Sequence, residues 1–533
     1  MRDQQLRRGA MALVIAATAT AGAQQQPPQQ QQQSPRPASP PPAWRFALPP
    51  GPNGVGFRIV DLRDPSRSVA SLTSGAPRPR PVPASVWYPA VRGAGGAPLR
   101  IRDYVRLEAL VDGLGALTPE RGGAAERPYL AFPDTARTRV GLDAPTTAVR
   151  DAPAAAGRFP VVIYGPSLNA PAWENSVLAE YLASQGYLVL SSPSRGWDGG
   201  PMTTDLGDLE AQARDMEFLL GYARTLPNAD STRVAVAGFS WGGLADVLVQ
   251  MRNPSVRAVV CLDGSIAYYW GKAKALPLAD PSRMDVPVLF LKQKPQSVPA
   301  DTAAKYGSDT SFAFYDQLRY ADTYRVDFNR LLHQNFGAHF IRLLPRNPAS
   351  GEGDQTTVER GYEAVATYAL HFLDAHLRGD SAARAFLERD PAQNGLPAGF
   401  ATLSRKRPTG PAPTIAAFTR FVGPGGLRSA DSAIAAIRRR GDPAYQLPEG
   451  AVNGWGYELM RLGRYDDAVG VLRANVLLYP ESSNTYDSLG EAYMTRAAQP
   501  DRVLAIASYE RSLRLDPKNE NAERRLRILR GGK

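Results

Sequence analysis

Short apolar runs alternate with helical patterns between residues 160 and 291, and this alternation limits the possible folds most strongly. The runs read as buried strands, at Val161–Tyr164, Tyr187–Leu190, Val234–Ala237, Val256–Leu262 and Pro287–Leu291. The segments between them have helical spacing, at Trp173–Ser184, Leu206–Leu226 and Leu244–Met251. Strands that alternate with helices predict βαβ crossovers and a mainly parallel sheet. Functional groups of such α/β sheets lie at the carboxyl ends of the strands.

A candidate nucleophile follows one of these strands. The sequence Gly238-Phe239-Ser240-Trp241-Gly242 has the G-x-S-x-G pattern, which is weak evidence when it occurs alone. Here it lies between a predicted strand and a predicted helix, the setting of a nucleophile elbow that exposes the serine hydroxyl above the sheet. The following helix N-terminus favours an oxyanion at the same place. The pattern therefore predicts Ser240 as the nucleophile.

A serine nucleophile needs a base, and the chain has four histidines. His371 and His376 lie in the helical pattern Tyr362–Leu377, which favours packing or surface roles. His333 follows the last predicted strand, in the chain order Ser, acid, His of α/β-hydrolases. His333 is the predicted base, and His339 is the reserve candidate.

The acid that orients the histidine is predicted to be Asp263. It directly follows the strand Val256–Leu262 and precedes Gly264, so it belongs to a strand carboxyl end one strand after the nucleophile. Asp301 is the competitor, but it lies ten residues beyond the strand that ends at Leu291. A turn role for Asp263 is the structural alternative.

The set Gly238-x-Ser240-x-Gly242-Gly243, Leu262-Asp263 and His333-Gln334-Asn335-Phe336 resembles the secreted platelet-activating-factor acetylhydrolase family, whose bacterial members are often labelled dienelactone-hydrolase-like. The resemblance covers roughly residues 50–380. It implies an α/β-hydrolase fold, a triad of Ser240, Asp263 and His333, and neither metal nor cofactor. It also implies hydrolysis of short or oxidised acyl chains from phospholipid-like esters. Dienelactone hydrolases proper use a cysteine nucleophile, so Ser240 argues against that activity.

The oxyanion donors are where the chain departs from this family. Phe239 and Trp241 replace the usual His and Phe around the nucleophile, but the Trp241 backbone N–H is still expected to donate. The family's H-G-L-G-like turn reads Gly165-Pro166-Ser167-Leu168-Asn169 here, which predicts Leu168 as the second donor. Ser167 stays open as an alternative, and Pro166 has no N–H to donate.

An aromatic run follows the predicted acid. Tyr268, Tyr269 and Trp270 either line an acyl or leaving-group pocket or pack in the core. The sequence leaves both roles open, and the three residues are candidate substrate contacts.

The N-terminus predicts an export signal over residues 1–23, with a basic start, a weakly apolar stretch and the small-residue site Ala21-Gly22-Ala23. This predicts a periplasmic or secreted protein. Residues 24–52 are rich in Gln, Pro and Ser and are predicted to be a disordered linker. The single cysteine, Cys261, lies in an apolar run, so an internal disulfide is excluded and a buried thiol is expected.

The C-terminal part, from about residue 428, lacks strand signals and contains a repeat. Ala468 and Pro480 have the same spacing as Ala505 and Pro517, and Leu489-Gly490 with Tyr493 adds first-helix positions. The pattern resembles tetratricopeptide repeats over about 449–482 and 483–519, followed by a partial helix. Two repeats are fewer than the three that independent stability usually needs. We therefore expect packing on the hydrolase core, a protein partner or self-association.

These features predict an α/β-hydrolase catalytic domain over 53–395, a linker over 396–427 and a helical unit over 428–533. The net charge is +11, but the basic residues are scattered, which argues against a nucleic-acid partner. A small-molecule or lipid ester is the expected substrate. The alternatives are a non-catalytic scaffold that recruits partners through the repeats, and a serine peptidase, for which no propeller-blade repeat precedes the catalytic segment.

Overall fold

The computed structural model describes residues 43–70, 75–93, 95–110, 117–131, 135–293, 312–344, 351–409, 448–461, 463–498 and 501–531. The predicted export signal, the competing acid Asp301 and most of the predicted linkers lie outside these residues.

The strands of the described residues form one large sheet and one small sheet. They are β1 (Gly54–Val60), β2 (Arg63–Ala70), β3 (Pro77–Pro81), β4 (Ala84–Ala90), β5 (Pro98–Arg100), β6 (Pro145–Arg150), β7 (Phe159–Gly165), β8 (Leu188–Ser191), β9 (Ala229–Phe239), β10 (Val256–Leu262), β11 (Val288–Gln293), β12 (Thr323–Phe328) and β13 (Ala401–Lys406).

The large sheet has the order β13-β12-β11-β10-β9-β7-β8-β4-β1-β6-β5, and β2 and β3 pair separately. The strands from β8 to β12 are all parallel. β4 is antiparallel to both β8 and β1. β7 lies between β8 and β9, so two consecutive parallel strands exchange places in the order. This topology is that of the α/β-hydrolase fold, and it confirms the predicted fold class.

Helices flank the sheet and also make up the C-terminal region. They are α1 (Ile101–Leu107), α2 (Pro119–Leu130), α3 (Thr135–Asp143), α4 (Ser176–Ser184), α5 (Leu206–Ala223), α6 (Trp241–Arg252), α7 (Ile266–Ala273), α8 (Ala313–Gln317), α9 (Ala338–Leu343), α10 (Gln355–Leu373), α11 (Ser381–Phe386), α12 (Glu449–Arg461), α13 (Tyr465–Leu478), α14 (Ser483–Arg496), α15 (Asp501–Leu515) and α16 (Glu520–Leu529). No helix in the described part of the chain is both long enough and apolar enough to cross a membrane.

The sheet is buried on both faces because successive side chains of a strand point to opposite sides. In β7, Val162 and Tyr164 belong to one hydrophobic cluster, together with residues of α4 and α10. Val161 and Ile163 belong to the other, together with residues of α5 and α6. Burial on both faces explains why the central strands read as continuous apolar runs.

Two predicted boundaries of the catalytic domain were wrong. Trp44 is buried with Ile341 and Tyr362, and the Arg45 N–H donates to Glu359, so residues 43–52 pack on the domain instead of forming a disordered linker. At the other end, β13 lies inside the predicted linker 396–427 and pairs antiparallel with β12. Contacts with distant segments make both parts of the chain belong to the domain, and their local composition does not indicate such contacts.

Residues 91–158 contain a structured insertion. Helices α1, α2 and α3 lie between β5 and β6, and β6 pairs parallel with β1. The low hydrophobicity of α2 and α3 hides them from periodicity arguments.

The C-terminal helices form two successive helix pairs, α12 with α13 and α14 with α15, followed by α16. Gly456 of α12 faces Leu472 of the second helix, and Gly490 of α14 faces Tyr509 in the same way. The two glycines are separated by the ~34-residue period of tetratricopeptide repeats. The region is therefore helical, as predicted; its membership of that repeat family stays a prediction.

Candidate active site

Ser240 occupies a tight turn between β9 and α6. Its φ of 54° and ψ of −114° lie outside the ordinary regions for a residue with a side chain. The turn needs glycine beside it, because a Cβ on Gly242 would lie 1.8 Å from the Gly165 carbonyl oxygen. The Ser240 N–H donates to the Leu262 carbonyl at 3.1 Å, which ties the turn to β10. This is the geometry expected of a nucleophile elbow.

His333 reaches Ser240 from the turn that follows β12. Its Nε2 lies 2.9 Å from Ser240 Oγ, and its ring packs on Phe239 with a centroid distance of 4.8 Å. The imidazole is partly exposed to solvent. The hydroxyl of Ser265 lies 3.4 Å from Ser240 Oγ as a second neighbour.

Asp263 holds the other ring nitrogen. Its Oδ2 lies 2.6 Å from His333 Nδ1, and the carboxylate is completely buried. The other oxygen, Oδ1, accepts the Gln293 N–H at 3.2 Å and lies 3.9 Å from the Lys292 ammonium. Both supports come from the end of β11, the strand next to β10. Asp263 is therefore held through both of its carboxylate oxygens.

The structure thus brings together the three residues that the sequence selects for the triad, although they are far apart in the chain. It places the other histidines elsewhere. His339 is buried against Trp173, and burial lowers its pKa to about 3. His371 stacks on Phe386, and burial lowers the pKa of His376 to about 4. Neutral, packed imidazoles of this kind fit structural roles.

The loop after β7, the candidate oxyanion loop, carries Ser167 and Leu168. The Ser167 N–H donates to Glu174 Oε2 at 2.9 Å, so it is not free for a substrate. The Leu168 N–H has no hydrogen-bond acceptor among the described residues. Trp241 is the first residue of α6, where a backbone N–H lacks a partner within the helix. Of the two alternatives for the second donor, the geometry favours Leu168 over Ser167.

The structure places the three aromatic candidates in different environments. Trp270 is buried, packs on Phe314 and donates its indole N–H to Gln317, so it is a core residue. Tyr269 is half-buried and packs edge-on against Trp241, with ring centroids 5.1 Å apart. Tyr268 is also half-buried, and burial together with the charge of Asp263 raises its pKa to about 12. Only the two tyrosines adjoin residues of the site.

A narrow cleft opens at the same edge of the sheet, beyond the oxyanion loop. Its lining includes Phe57, Tyr104 and Trp173, and it offers about 20 Å³ to water-sized groups. Glu108 is its charged member, and it accepts hydrogen bonds from the Tyr129 hydroxyl at 2.8 Å and the Trp173 indole at 3.0 Å. Burial raises the pKa of Glu108 to about 7. The cleft is mainly apolar and small.

Sequence reasoning missed several supporting residues. Lys292 and Gln293 directly follow the strand predicted at Pro287–Leu291, and that position was the available signal. Glu174 and Asn175 lie on no motif, and no local pattern indicates that their side chains are buried beside the site. Burial raises the pKa of Glu174 to about 7, against the opposing effect of hydrogen bonds from Ser167 and Tyr164.

No protein-family model matches the chain, and no curated protein matches it significantly. Among solved structures, a ferulic acid esterase from Streptomyces cinnamoneus is similar at a TM-score of 0.48 and 21% sequence identity. The match covers 68% of this chain and 99% of that structure.

Proposed function

We propose that this protein is a serine hydrolase that cleaves carboxylic esters through an acyl-enzyme. The observation that carries the proposal is the continuous hydrogen-bonded chain from Ser240 Oγ through His333 to the buried Asp263. A serine hydroxyl is a weak nucleophile unless a base of this kind takes its proton.

In the first step Ser240 Oγ attacks the ester carbonyl carbon while His333 Nε2 accepts the hydroxyl proton. Asp263 stays ionised, keeps the Nδ1–H tautomer and stabilises the imidazolium. Lys292 and Gln293 hold the second oxygen of Asp263, so the carboxylate keeps its orientation as the histidine becomes charged.

The tetrahedral oxyanion is stabilised by the Trp241 N–H and, as second donor, the Leu168 N–H. The N-terminus of α6 adds its partial positive charge. Donors that are fixed before the reaction need no reorganisation at the transition state, and losing one typically costs on the order of 100- to 1000-fold in rate.

When the tetrahedral intermediate collapses, the bond to the leaving alcohol breaks and His333 returns the proton to the alcohol oxygen. The acyl group now sits on Ser240 Oγ. His333 then takes a proton from water, water attacks the acyl carbon, and the Ser240 oxygen leaves with that proton. The products are one acid and one alcohol, and the enzyme is regenerated.

The proposed substrates are esters with a short acyl group or phospholipid-like esters. The triad motifs that resemble the acetylhydrolase family support this choice. Tyr268 and Tyr269 are the proposed substrate contacts near the triad. Export through the N-terminal segment, and a partner or self-association through the C-terminal helices, belong to the same proposal.

The first test measures hydrolysis of p-nitrophenyl acetate by the purified full-length protein and by Ser240→Ala. The variant should lose at least about 10⁴-fold in kcat, as serine hydrolases do without their nucleophile. Ser265→Ala is the matched control, because it removes a neighbouring hydroxyl 3.4 Å away and should keep most of the activity. Equal turnover by Ser240→Ala and the native protein would refute the assignment.

A fluorophosphonate probe separates the enzyme from a non-catalytic scaffold. The folded native protein should be labelled at Ser240, and Ser240→Ala should not. Absence of labelling of folded native protein would favour the scaffold. A p-nitrophenyl ester series from acetate to decanoate, together with a 2-acetyl glycerophospholipid, then tests the proposed substrate class.

A further inference from the structure

Glu174 is a buried carboxyl with no assigned role beside the site. Its side chain is completely inaccessible to solvent, at the start of the segment that leads into α4. Burial of a carboxyl is expensive unless hydrogen bonds compensate it. The position of those hydrogen bonds therefore shows what the residue holds in place.

Both carboxylate oxygens of Glu174 are used. Oε2 accepts the Ser167 N–H at 2.9 Å and the Tyr164 hydroxyl at 3.1 Å, and Oε1 accepts the Ser167 hydroxyl. Two of these three donors belong to the residue directly before Leu168. The carboxylate is thus hydrogen-bonded to the oxyanion loop at the residue next to Leu168, the proposed second donor.

The hydrogen bonds to Glu174 determine which backbone N–H of the loop is available to the oxyanion hole. Since Pro166 has no N–H and the Ser167 N–H is taken, Leu168 offers the first free backbone donor after β7. The Leu168 N–H belongs to the next peptide group, whose Ser167 carbonyl accepts the Ala170 N–H at 3.1 Å. Without Glu174, the N–H and hydroxyl of Ser167 would lose their acceptor, and the Ser167 backbone, which sets the direction of that next peptide, would be less restrained. A donor that is displaced by about 1 Å can cost on the order of 100-fold in rate.

The same segment also holds the histidine side of the site. The Glu174 carbonyl accepts the His339 N–H at 3.0 Å. The side chain of Asn175 donates to the Phe336 carbonyl at 3.0 Å and accepts from the Ala338 N–H at 3.1 Å. Phe336 ends the turn that begins with His333. Residues 174 and 175 therefore join the oxyanion loop to the turn that carries the base.

We propose that Glu174 is a positioning residue of this esterase, and that its carboxylate fixes the Ser167 backbone so that the Leu168 N–H of the following peptide is directed into the oxyanion hole. This inference rests on the proposed function. It assigns to Glu174 the positioning of the donor that stabilises the transition state of ester hydrolysis. Glu174 itself does not touch the substrate. Loss of Glu174 should therefore lower kcat, while ground-state binding of the ester should stay almost unchanged.

The chain offers a matched control in Glu180. It is also buried and also accepts three hydrogen bonds, from Tyr104 and from the backbone and hydroxyl of Thr147. None of these donors belongs to the oxyanion loop or to the turn of His333. Glu180→Ala therefore reproduces the loss of a buried, hydrogen-bonded carboxyl without the proposed effect on the site.

The test compares Glu174→Ala, Glu174→Gln and Glu180→Ala in the full-length protein, with p-nitrophenyl acetate as substrate. Glu174→Ala should lower kcat on the order of 100-fold and change KM by less than about threefold. Glu174→Gln should restore kcat to within about fivefold of the native protein. Its amide oxygen can accept from the Ser167 N–H and Tyr164, and its amide N–H can donate to the Ser167 hydroxyl. Glu180→Ala should keep kcat within about threefold.

A second readout isolates the oxyanion hole. A trifluoromethyl ketone forms a hemiketal with Ser240 whose oxyanion occupies the hole, so its inhibition constant should rise in parallel with the loss of kcat in Glu174→Ala. Should Glu174→Ala fail to fold, Glu174→Asp takes its place, because it keeps the charge but withdraws the acceptor from Ser167.

The outcomes separate the two proposals. No turnover by the native protein overturns the proposed function and, with it, this inference. Native turnover with an unchanged kcat in Glu174→Ala, or in Glu174→Asp if that variant is the one that folds, overturns the inference alone. A fall in kcat for Glu180→Ala as large as for Glu174→Ala also overturns it, because the loss would then follow from general destabilisation.

Discussion

The turn around Ser240 and the C-terminal helix pairs both contain glycines in close contact with a neighbouring segment, but the neighbours differ. At Gly242 the neighbour is backbone, the Gly165 carbonyl, and a Cβ would lie 1.8 Å from its oxygen. At Gly456 the neighbour is the Leu472 side chain, and a Cβ would lie 2.5 Å from its Cγ. A side chain can change rotamer, whereas the backbone of a central strand cannot move without disturbing the sheet.

The two regions also differ in how their buried acidic side chains are hydrogen-bonded. Asp246 of α6 is completely buried, and neither carboxylate oxygen has a hydrogen-bond partner among the described residues. Asp487 of α14 is only partly buried, and its oxygens accept hydrogen bonds from the side chains of Asn519 and Asn521. Burial raises the pKa of both, that of Asp246 well above its usual range. The acid in α6 is therefore buried without a compensating hydrogen bond, whereas the acid in α14 has two amide donors.

The largest contrast should come from alanine at the two glycines. Gly242→Ala should lower the free energy of unfolding by more than about 3 kcal/mol, because the added methyl group overlaps backbone atoms. Its kcat/KM for p-nitrophenyl acetate should fall on the order of 100-fold or more, since the oxyanion loop must shift.

Gly456→Ala is the matched change in the helix pairs. The clash with Leu472 is offset by the ~1 kcal/mol that alanine gains over glycine inside a helix. The net change in stability should stay within about 1 kcal/mol, with kcat/KM unaltered. Urea unfolding and ester hydrolysis measure both quantities. Equal losses at the two positions would contradict the distinction between backbone and side-chain neighbours.

A smaller contrast should appear on neutralising the two acids. The pKa of Asp246 is raised in the folded state, so its unfavourable contribution is absent below the unfolded pKa of about 3.9 and grows as the pH rises. Asp246→Asn should therefore raise the free energy of unfolding at pH 7 by about 1–3 kcal/mol. The gain should vanish near pH 4.

Asp487→Asn serves as the comparison, because hydrogen bonds already compensate that carboxylate. Its effect at pH 7 should remain within about 0.5 kcal/mol. Thermal unfolding of both variants at pH 4 and pH 7 provides the measurement. If Asp246→Asn destabilises equally at both pH values, the carboxyl has a structural partner and the comparison fails.

The smallest effect should follow removal of residues 428–533. The C-terminal helices form hydrophobic clusters of their own, separate from the two that cover the sheet. A domain with its own core can fold alone, so kcat/KM for p-nitrophenyl acetate should change by less than about twofold. Aggregation of the shortened protein would instead support the sequence-based expectation that the repeats pack on the hydrolase core.

Prediction from sequence succeeded where a local pattern carries the information. The strand at Val234–Ala237, the turn at Ser240 and the following helix are all visible in one short segment. Asp263 could be selected because it directly follows a strand, and His333 because of chain order. Chain order alone does not separate His333 from His339, since the two lie six residues apart. In the structure His333 lies 2.9 Å from Ser240, whereas His339 is buried away from it.

The sequence by itself determined the parallel sheet, the positions of Ser240, Asp263 and His333, and the repeated helices, because periodicity and chain order are properties of short segments. Only the tertiary structure decided that β13 joins the sheet, that Trp270 lies in the core and that Glu174 occupies the Ser167 N–H. Each of these depends on contacts between distant segments. Local composition does not encode such contacts, because burial and hydrogen bonding are settled only when the segments pack.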